Sequence, residues 1–224
     1  LATAINDPLW QLCWGRNLEC HPSEVSAYMA ALRAVTNASD PGASFSNQVI
    51  KGIFPQVNAA DVPLFAVNTA TLNNGITPLT TGTDAAVHIV RAITTKSLNG
   101  TNPDYSTLDV SQAYVPQFVR LHLGLKWLFE FQPANPRVTD DPDEDDRIPE
   151  AGVAYPKLWS QFAQNELKQF ERQLSTGAPP ILVDVDDTPV VSGYDPVAKR
   201  IMSLVPVKVA PNDEQIAVSI RQVV

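Results

Sequence analysis

The sequence predicts an α+β fold of mixed helices with a mainly antiparallel sheet, and three observations carry that reading. Amphipathic stripes recur at helical spacing over 22–40, 109–128 and 159–174, a hairpin signature occupies 76–95, and residues 181–224 are rich in Val and Ile with strand-like alternation. With 224 residues, 44% of them hydrophobic, the chain can bury a core in one large or two modest domains. A composition shift near residue 80 predicts a division into 1–80 and 81–224.

Trp10, Leu12 and Trp14 alternate at period two, which predicts an extended segment with a buried aromatic face. Pro22 opens a helix in which Val25, Met29, Leu32 and Val35 form the apolar stripe, and Asp40, Pro41 and Gly42 end it. Gln48 to Phe54 reads as a short strand. Asn58 caps a second helix running to about Leu72, with Pro63 tolerated near its start and Asn73, Asn74 and Gly75 as the stop. Ile76 to Thr80 and Ala86 to Thr95 flank a turn at Thr81 to Asp84, with Val87, Ile89 and Arg91 on one face. Asp109 and Gln112 have capping-box spacing ahead of a stripe of Val110, Tyr114, Phe118, Leu121, Leu125 and Leu128, which Pro116 should kink. Trp159, Ala163, Leu167, Phe170 and Leu174 mark a further helix, stopped by Gly177, Pro179 and Pro180. Ile181 to Val185, Arg200 to Val209 and Ile216 to Val224 read as strands.

Sixteen Lys and Arg against 24 Asp and Glu give a net charge of −8, the wrong sign for general attraction to nucleic acid. The apolar runs are far shorter than the roughly 20 residues that span a bilayer, so no membrane partner is expected. Two cysteines are too few for a disulfide scaffold, and cytosolic synthesis is the default expectation. The chain opens on Leu1, not Met, which predicts a longer parent protein.

Four constellations bear on chemistry. The stretch ILVDVDDTPVV sets Asp184, Asp186 and Thr188 in the D-x-D-x-T pattern of haloacid-dehalogenase-type phosphotransferases, where two carboxylates at a strand end work with Mg2+. The residues after Thr188 are mostly strand-like and offer no α/β domain to complete it, so a turn between strands accounts for the motif better. The acidic run 140–146, with Asp143, Glu144 and Asp145 at its centre, offers oxygen ligands for Ca2+ but lacks the alternation and turn glycine of an EF-hand. A solvated loop is the simpler account. Cys13, Cys20 and His21 match no zinc spacing, and buried thiols are preferred. His88 and His122 stand without a nucleophile context, and no phosphate-binding glycine loop occurs, so no catalytic residue, metal site or cofactor is assigned.

The order of segments is more informative. LNNGITPLTTGTDAAVHIVRAITTKSLNGTNPDYSTLDV, residues 72–110, resembles the tail sheath proteins of Mu-type contractile bacteriophages. In that family a helix ends in a Gly-Ile turn, a hairpin strand ends in Arg before an Ile-Thr-Thr step, and a loop like D-x-S/T-x-L-D-V opens a long helix. The counterparts here are Gly75-Ile76, Arg91 to Thr95 and Asp104 to Val110. PSEVSAYMAALRAV resembles the family's alanine-rich helix, and the similarity is strongest over residues 59–131. Family chains are about twice as long, and the acidic loop 140–146 is foreign to them.

The resemblance implies the end of an α/β outer or middle domain over 1–80, then the C-terminal inner sheath domain over 81–224 with a terminal β arm at about 212–224. It implies a non-enzymatic, cofactor-free subunit that stacks with copies of itself in rings around a tail tube protein. Baseplate and tail terminator proteins bound the stack, and contraction drives the tube through the host envelope. Assembly in the host cytoplasm and a final place in the virion tail follow. Ile216, Val218, Ile220 and Val224 are the expected inter-subunit arm, which would add a strand to a neighbour. Lys157, Lys168 and Arg172 are the expected tube-facing cations.

Overall fold

The computed structural model describes residues 1–104, 106–132, 136–142, 152–172 and 180–210. In chain order the elements are α1 (Ala2–Ile5), β1 (Cys13–Trp14), α2 (Pro22–Ser39), a 3-10 turn (Ala59–Asp61), α3 (Phe65–Asn73), β2 (Thr77–Thr81) and β3 (Val87–Ile89). There follow β4 (Leu98–Asn99), β5 (Asn102–Pro103), α4 (Val110–Lys126), a π-helical turn (Trp127–Phe131), β6 (Arg137–Val138), β7 (Val153–Ala154), α5 (Pro156–Arg172), β8 (Val191–Asp195) and β9 (Arg200–Leu204). The class is α+β. The β2–β3, β4–β5 and β8–β9 pairs are antiparallel, while β1–β2 and β6–β7 are parallel. By packing, the chain divides inside α4, between Tyr114 and Val115.

In the N-terminal unit, α2 starts where its sequence says it should. His21 is the N-cap: its Nδ1 accepts from Ser23 N at 3.3 Å, and Glu24 Oε2 accepts from His21 N at 3.0 Å. Met29 is buried and Val25 and Leu32 pack beside it, but Val35 is 73% exposed, so the core stripe is shorter than the periodicity suggests. The expected helix from Asn58 to Leu72 is two pieces. Asn58 caps only the 3-10 turn, the backbone is extended at Val62 and Leu64 on either side of Pro63, and α3 starts at Phe65. Proline disfavours helical backbone in the residue before it, and Val62 obeys that restriction. Gly75, at φ +73, closes α3, and a Cβ there would lie 3.2 Å from the Thr95 carbonyl oxygen.

The order of the three-stranded sheet is β1-β2-β3, with Cys13 opposite Thr77 and Leu79 opposite Ile89. The partner of the Trp10–Trp14 segment is therefore β2, although Trp10 itself is 57% exposed rather than buried. The expected strand at 48–54 reduces to one bridge between Val49 and His88, because Gly52 turns the chain at φ +90. Thr77 is fully buried without loss: its Oγ1 donates to Ile93 O at 3.1 Å and accepts from Ile93 N at 3.0 Å and Gln11 Nε2 at 3.1 Å. Arg91 grips Asp109 with two parallel bonds, Nε to Oδ1 at 2.8 Å and Nη2 to Oδ2 at 2.7 Å, which ties the segment after β3 to the start of α4.

In the C-terminal unit the buried face of α4 is Val115, Val119 and Leu123, while Leu121, Leu125 and Leu128 are 62%, 42% and 44% exposed. Both sets have helical spacing, so periodicity cannot choose between them, and the predicted stripe joined the buried Val110 and the core-packed Phe118 to the open-side Leu121, Leu125 and Leu128. The helix runs on through Pro116. Trp127 stacks on Phe131 at 5.1 Å, with Trp159 edge-on to both. On α5, Trp159, Ala163 and Leu167 face this core together with Ile181, Leu182 and Val185. Full burial of one such leucine contributes about 1.5–3 kcal/mol. The expected strand at 181–185 is a single bridge, Leu182 to Val209, ended by Asp184 at φ +55. β9 covers the first half of the strand expected at 200–209. β8 was not expected, since Ser, Gly and Asp in VSGYD are poor strand formers.

Candidate functional site

The exposed feature with a chemical use is the β8–β9 hairpin. Val191 pairs with Leu204 and Asp195 with Arg200. The tip is fixed by Asp195 Oδ1, which accepts from Val197 N and Ala198 N at 3.0 Å each, and these bonds hold its carboxyl below the usual carboxylate range. Among the described residues each strand has one partner only, leaving two open edges. Val191, Met202 and Leu204 are 60%, 55% and 72% exposed. Beside β9 runs a mainly apolar groove of about 680 Å³ lined by Pro116, Val119, Trp127, Trp159 and Val207, with Arg120 as its charged residue. Open ladder groups next to apolar surface form the arrangement that accepts an added strand.

The D-x-D-x-T motif forms a charged turn. Asp184 O accepts from Asp187 N and from Thr188 Oγ1, Asp184 Oδ2 is paired with Lys208 Nζ, and Asp186 Oδ1 lies 2.6 Å from Lys168 Nζ. The Asp184 carboxylate raises the pKa of Lys208. The preceding segment runs antiparallel to its partner, Val183 N donating to Lys208 O at 3.0 Å, so the parallel strand end that such phosphotransferases require is not formed here. Among the described residues no three His, Cys, Asp or Glu side chains converge on a metal-sized site. In the acidic run, residues 143–146 lie outside the described residues, whereas Asp141 has a structural use: its Oδ1 accepts from Lys157 N at 2.7 Å in the first turn of α5.

The other expected site residues are dispersed. Lys157 is exposed at the start of α5, Lys168 is engaged by Asp186, and Arg172 is the last residue of α5. Ile216, Val218, Ile220 and Val224 lie outside the described residues. His21 is a helix cap, and both cysteines are free. Burial pushes the Cys13 thiol up to about 11. Sequence reading missed Glu166, buried on α5 against His122; the available signal was a lone acid between Ala163 and Leu167 on a core-facing helix. Among the described residues no helix is long and apolar enough to cross a membrane.

The sequence matches no protein-family model, and it matches no curated protein. The fold is similar to part of the fold of solved sheath tail and baseplate chains. A chain of the anti-feeding prophage baseplate superposes with a TM-score of 0.66 at 12% identity, covering 97% of this chain and 55% of its own length. The sheath tail protein of Desulfitobacterium hafniense gives 0.59 at 10% identity over 93% of this chain and 47% of its own. That of Listeria innocua gives 0.59 at 13% identity over 87% and 41%. The chain thus spans about half the length of these solved chains.

Proposed function

We propose that this chain is part of a structural, non-enzymatic subunit of a contractile tail, one that polymerises with copies of itself as a sheath around a tail tube. The carrying observation is the likeness of nearly the whole chain to sheath and baseplate structures. The open-edged β8–β9 hairpin supports it from the residues upward, because a sheath must join subunits without closing on itself. In this reading 1–80 is the end of an outer or middle domain and 81–224 is the inner domain. The arm carrying Ile216, Val218, Ile220 and Val224 adds a strand to a neighbour, and Lys157, Lys168 and Arg172 turn toward carboxylates of the tube. Baseplate and terminator proteins cap the stack, which is built in the host cytoplasm and functions in the tail. Energy for contraction is stored in subunit interfaces and drives the tube through the host envelope, with no nucleotide required.

The test is negative-stain electron microscopy of the protein as naturally made, purified alone and concentrated, beside the same protein lacking Ile216 to Val224. Tubes or stacked rings are expected from the first, and soluble, unassembled particles from the second. Normal tubes from the deletion would sink the arm assignment, and persistent monomers from the intact protein would sink the sheath reading.

A further inference from the structure

A cavity of about 670 Å³ lies within the N-terminal unit. One wall is a single face of α2, where Pro22, Val25, Met29 and Arg33 recur at the spacing of successive turns. The opposite wall is the extended segment with Trp10 and Trp14. Small-ligand sites typically enclose about 300–1,000 Å³ of mainly apolar surface with few placed polar groups.

Among the described residues lining this cavity, Arg33 alone is charged. Its position is set by a relay: Arg33 Nη1 donates to Gln11 Oε1 at 3.3 Å, and Gln11 Nε2 donates to the buried Thr77 hydroxyl at 3.1 Å. An arginine has five N–H donors, and among the described residues no carboxylate pairs with this one. Burial lowers its pKa, as expected of a cation drawn partly out of water. The neighbouring Cys13 thiol is neutral at physiological pH and supplies no counter-charge.

A partly desolvated guanidinium fork in a cavity whose walls are mostly apolar, with Gln11, Asn17 and Ser26 as further polar groups, matches one planar anion attached to an apolar body. A single cation among otherwise uncharged walls suits one negative charge better than a phosphate dianion. We propose that the cavity between α2 and the Trp10–Trp14 segment binds a monocarboxylate with an apolar body, the carboxylate on Arg33 and the body between the two tryptophans and Met29. This site goes beyond the assembly role and does not depend on it. A free acid and an acidic side chain on an apolar peptide share this chemistry.

The test titrates the protein with octanoate, with octanol as the uncharged match, and with the blocked tripeptide acetyl-Leu-Leu-Glu-amide, followed by calorimetry and tryptophan fluorescence. Octanoate or the peptide should bind while octanol does not, and Arg33→Gln should weaken binding at least tenfold while keeping the parent's circular dichroism and melting curve. Arg33→Lys, which keeps the charge without the fork, should fall between. Tighter binding of the peptide identifies a chain segment as the source, and tighter binding of octanoate a free acid. Equal binding of octanol, undiminished binding by folded Arg33→Gln, or binding of neither carboxylate overturns the assignment.

Discussion

Nε2 of His122 lies 2.8 Å from Oε2 of Glu166, joining α4 to α5 around a glutamate whose side chain is only 8% exposed. Lys126 Nζ stands 3.5 Å from the same oxygen, Gln169 Nε2 donates to Oε1 at 3.3 Å, and Phe170 meets the imidazole edge-on at 4.9 Å. A buried acid is tolerated when its oxygens are satisfied, and removing one partner exposes the desolvation cost. His122→Ala should therefore destabilise by about 1–2 kcal/mol, with Lys126 compensating in part. Replacing both His122 and Glu166 by Leu should cost less than the sum of His122→Leu and Glu166→Leu made singly, a coupling of at least about 0.5 kcal/mol. Urea unfolding of the four proteins measures it, and additive values would show that the contact carries no net energy.

His88 carries a pH-dependent tie in the hairpin. Its Nε2 faces Asp84 Oδ1 and Oδ2 at 2.9 and 3.1 Å, and its Nδ1 faces the Asn47 carbonyl oxygen at 3.2 Å. Only the imidazolium can donate to both sides. The Asp84 hydrogen bond raises the His88 pKa above 6.5, and the same bond holds Asp84 below 3.8. The stabilisation is thus complete between 3.8 and 6.5; it is lost as pH rises through the raised His88 value and as pH falls through the depressed Asp84 value. NMR titration should place the His88 midpoint above 6.5 and show it falling in Asp84→Asn. Gly82→Ala should act likewise, since its Cβ would sit 2.6 Å from Asp84 Oδ1 and 2.7 Å from His88 Nε2. An unmoved midpoint in both variants would refute the pairing.

What the sequence disclosed and what it hid have different physical origins. Helix ends were readable because capping and proline chemistry are local, as at His21-Pro22 and Asn74-Gly75. The β2–β3 hairpin was readable for the same reason. The buried face of α4 was not, because two apolar stripes compete and only packing in the fold decides between Leu123 and Leu125. The pairing of β1 with β2 spans more than sixty residues and leaves no local mark. The site followed this division. Asp184 and Asp186 advertise chemistry in a motif, yet their nearest partners, Lys208 and Lys168, are set by tertiary structure. Arg33, on an ordinary helix, gains its character only from the cavity that it lines together with Trp10 and Trp14.

The two thiols should report the N-terminal unit separately. Cys13 sits in β1 with a pKa pushed up to about 11, so it is almost entirely protonated at pH 8, and the thiolate is the reactive species. Burial of the sulfur and the nearby Glu24 charge also raise the pKa of Cys20, whose surroundings are far more open. Iodoacetamide at pH 8 should label Cys20 slowly and Cys13 far more slowly still, as read by peptide mass spectrometry. Equal labelling of both in the native protein would show that burial does not hold the Cys13 thiol protonated.

Lys168 gives a way to separate a structural ion pair from an assembly contact. Its ammonium lies 2.6 Å from Asp186 Oδ1, with the two side chains 31% and 67% exposed. Exposed pairs contribute about 0–1 kcal/mol, so Lys168→Ala and Asp186→Asn should both leave the melting temperature nearly unchanged. Each removes the same intramolecular pair, and a purely structural role predicts effects of the same sign in any assay. A tube-facing role predicts opposite signs: Lys168→Ala removes a cation from the interface, whereas Asp186→Asn releases that cation to a carboxylate of the tube. Co-sedimentation of the protein with purified tail tube should, under the tube-facing reading, fall several-fold for Lys168→Ala and hold or rise for Asp186→Asn. The difference should shrink as salt increases, because surface charges are screened within about 8 Å at physiological ionic strength. Parallel losses in both variants, or a difference insensitive to salt, would remove Lys168 from the tube-facing surface.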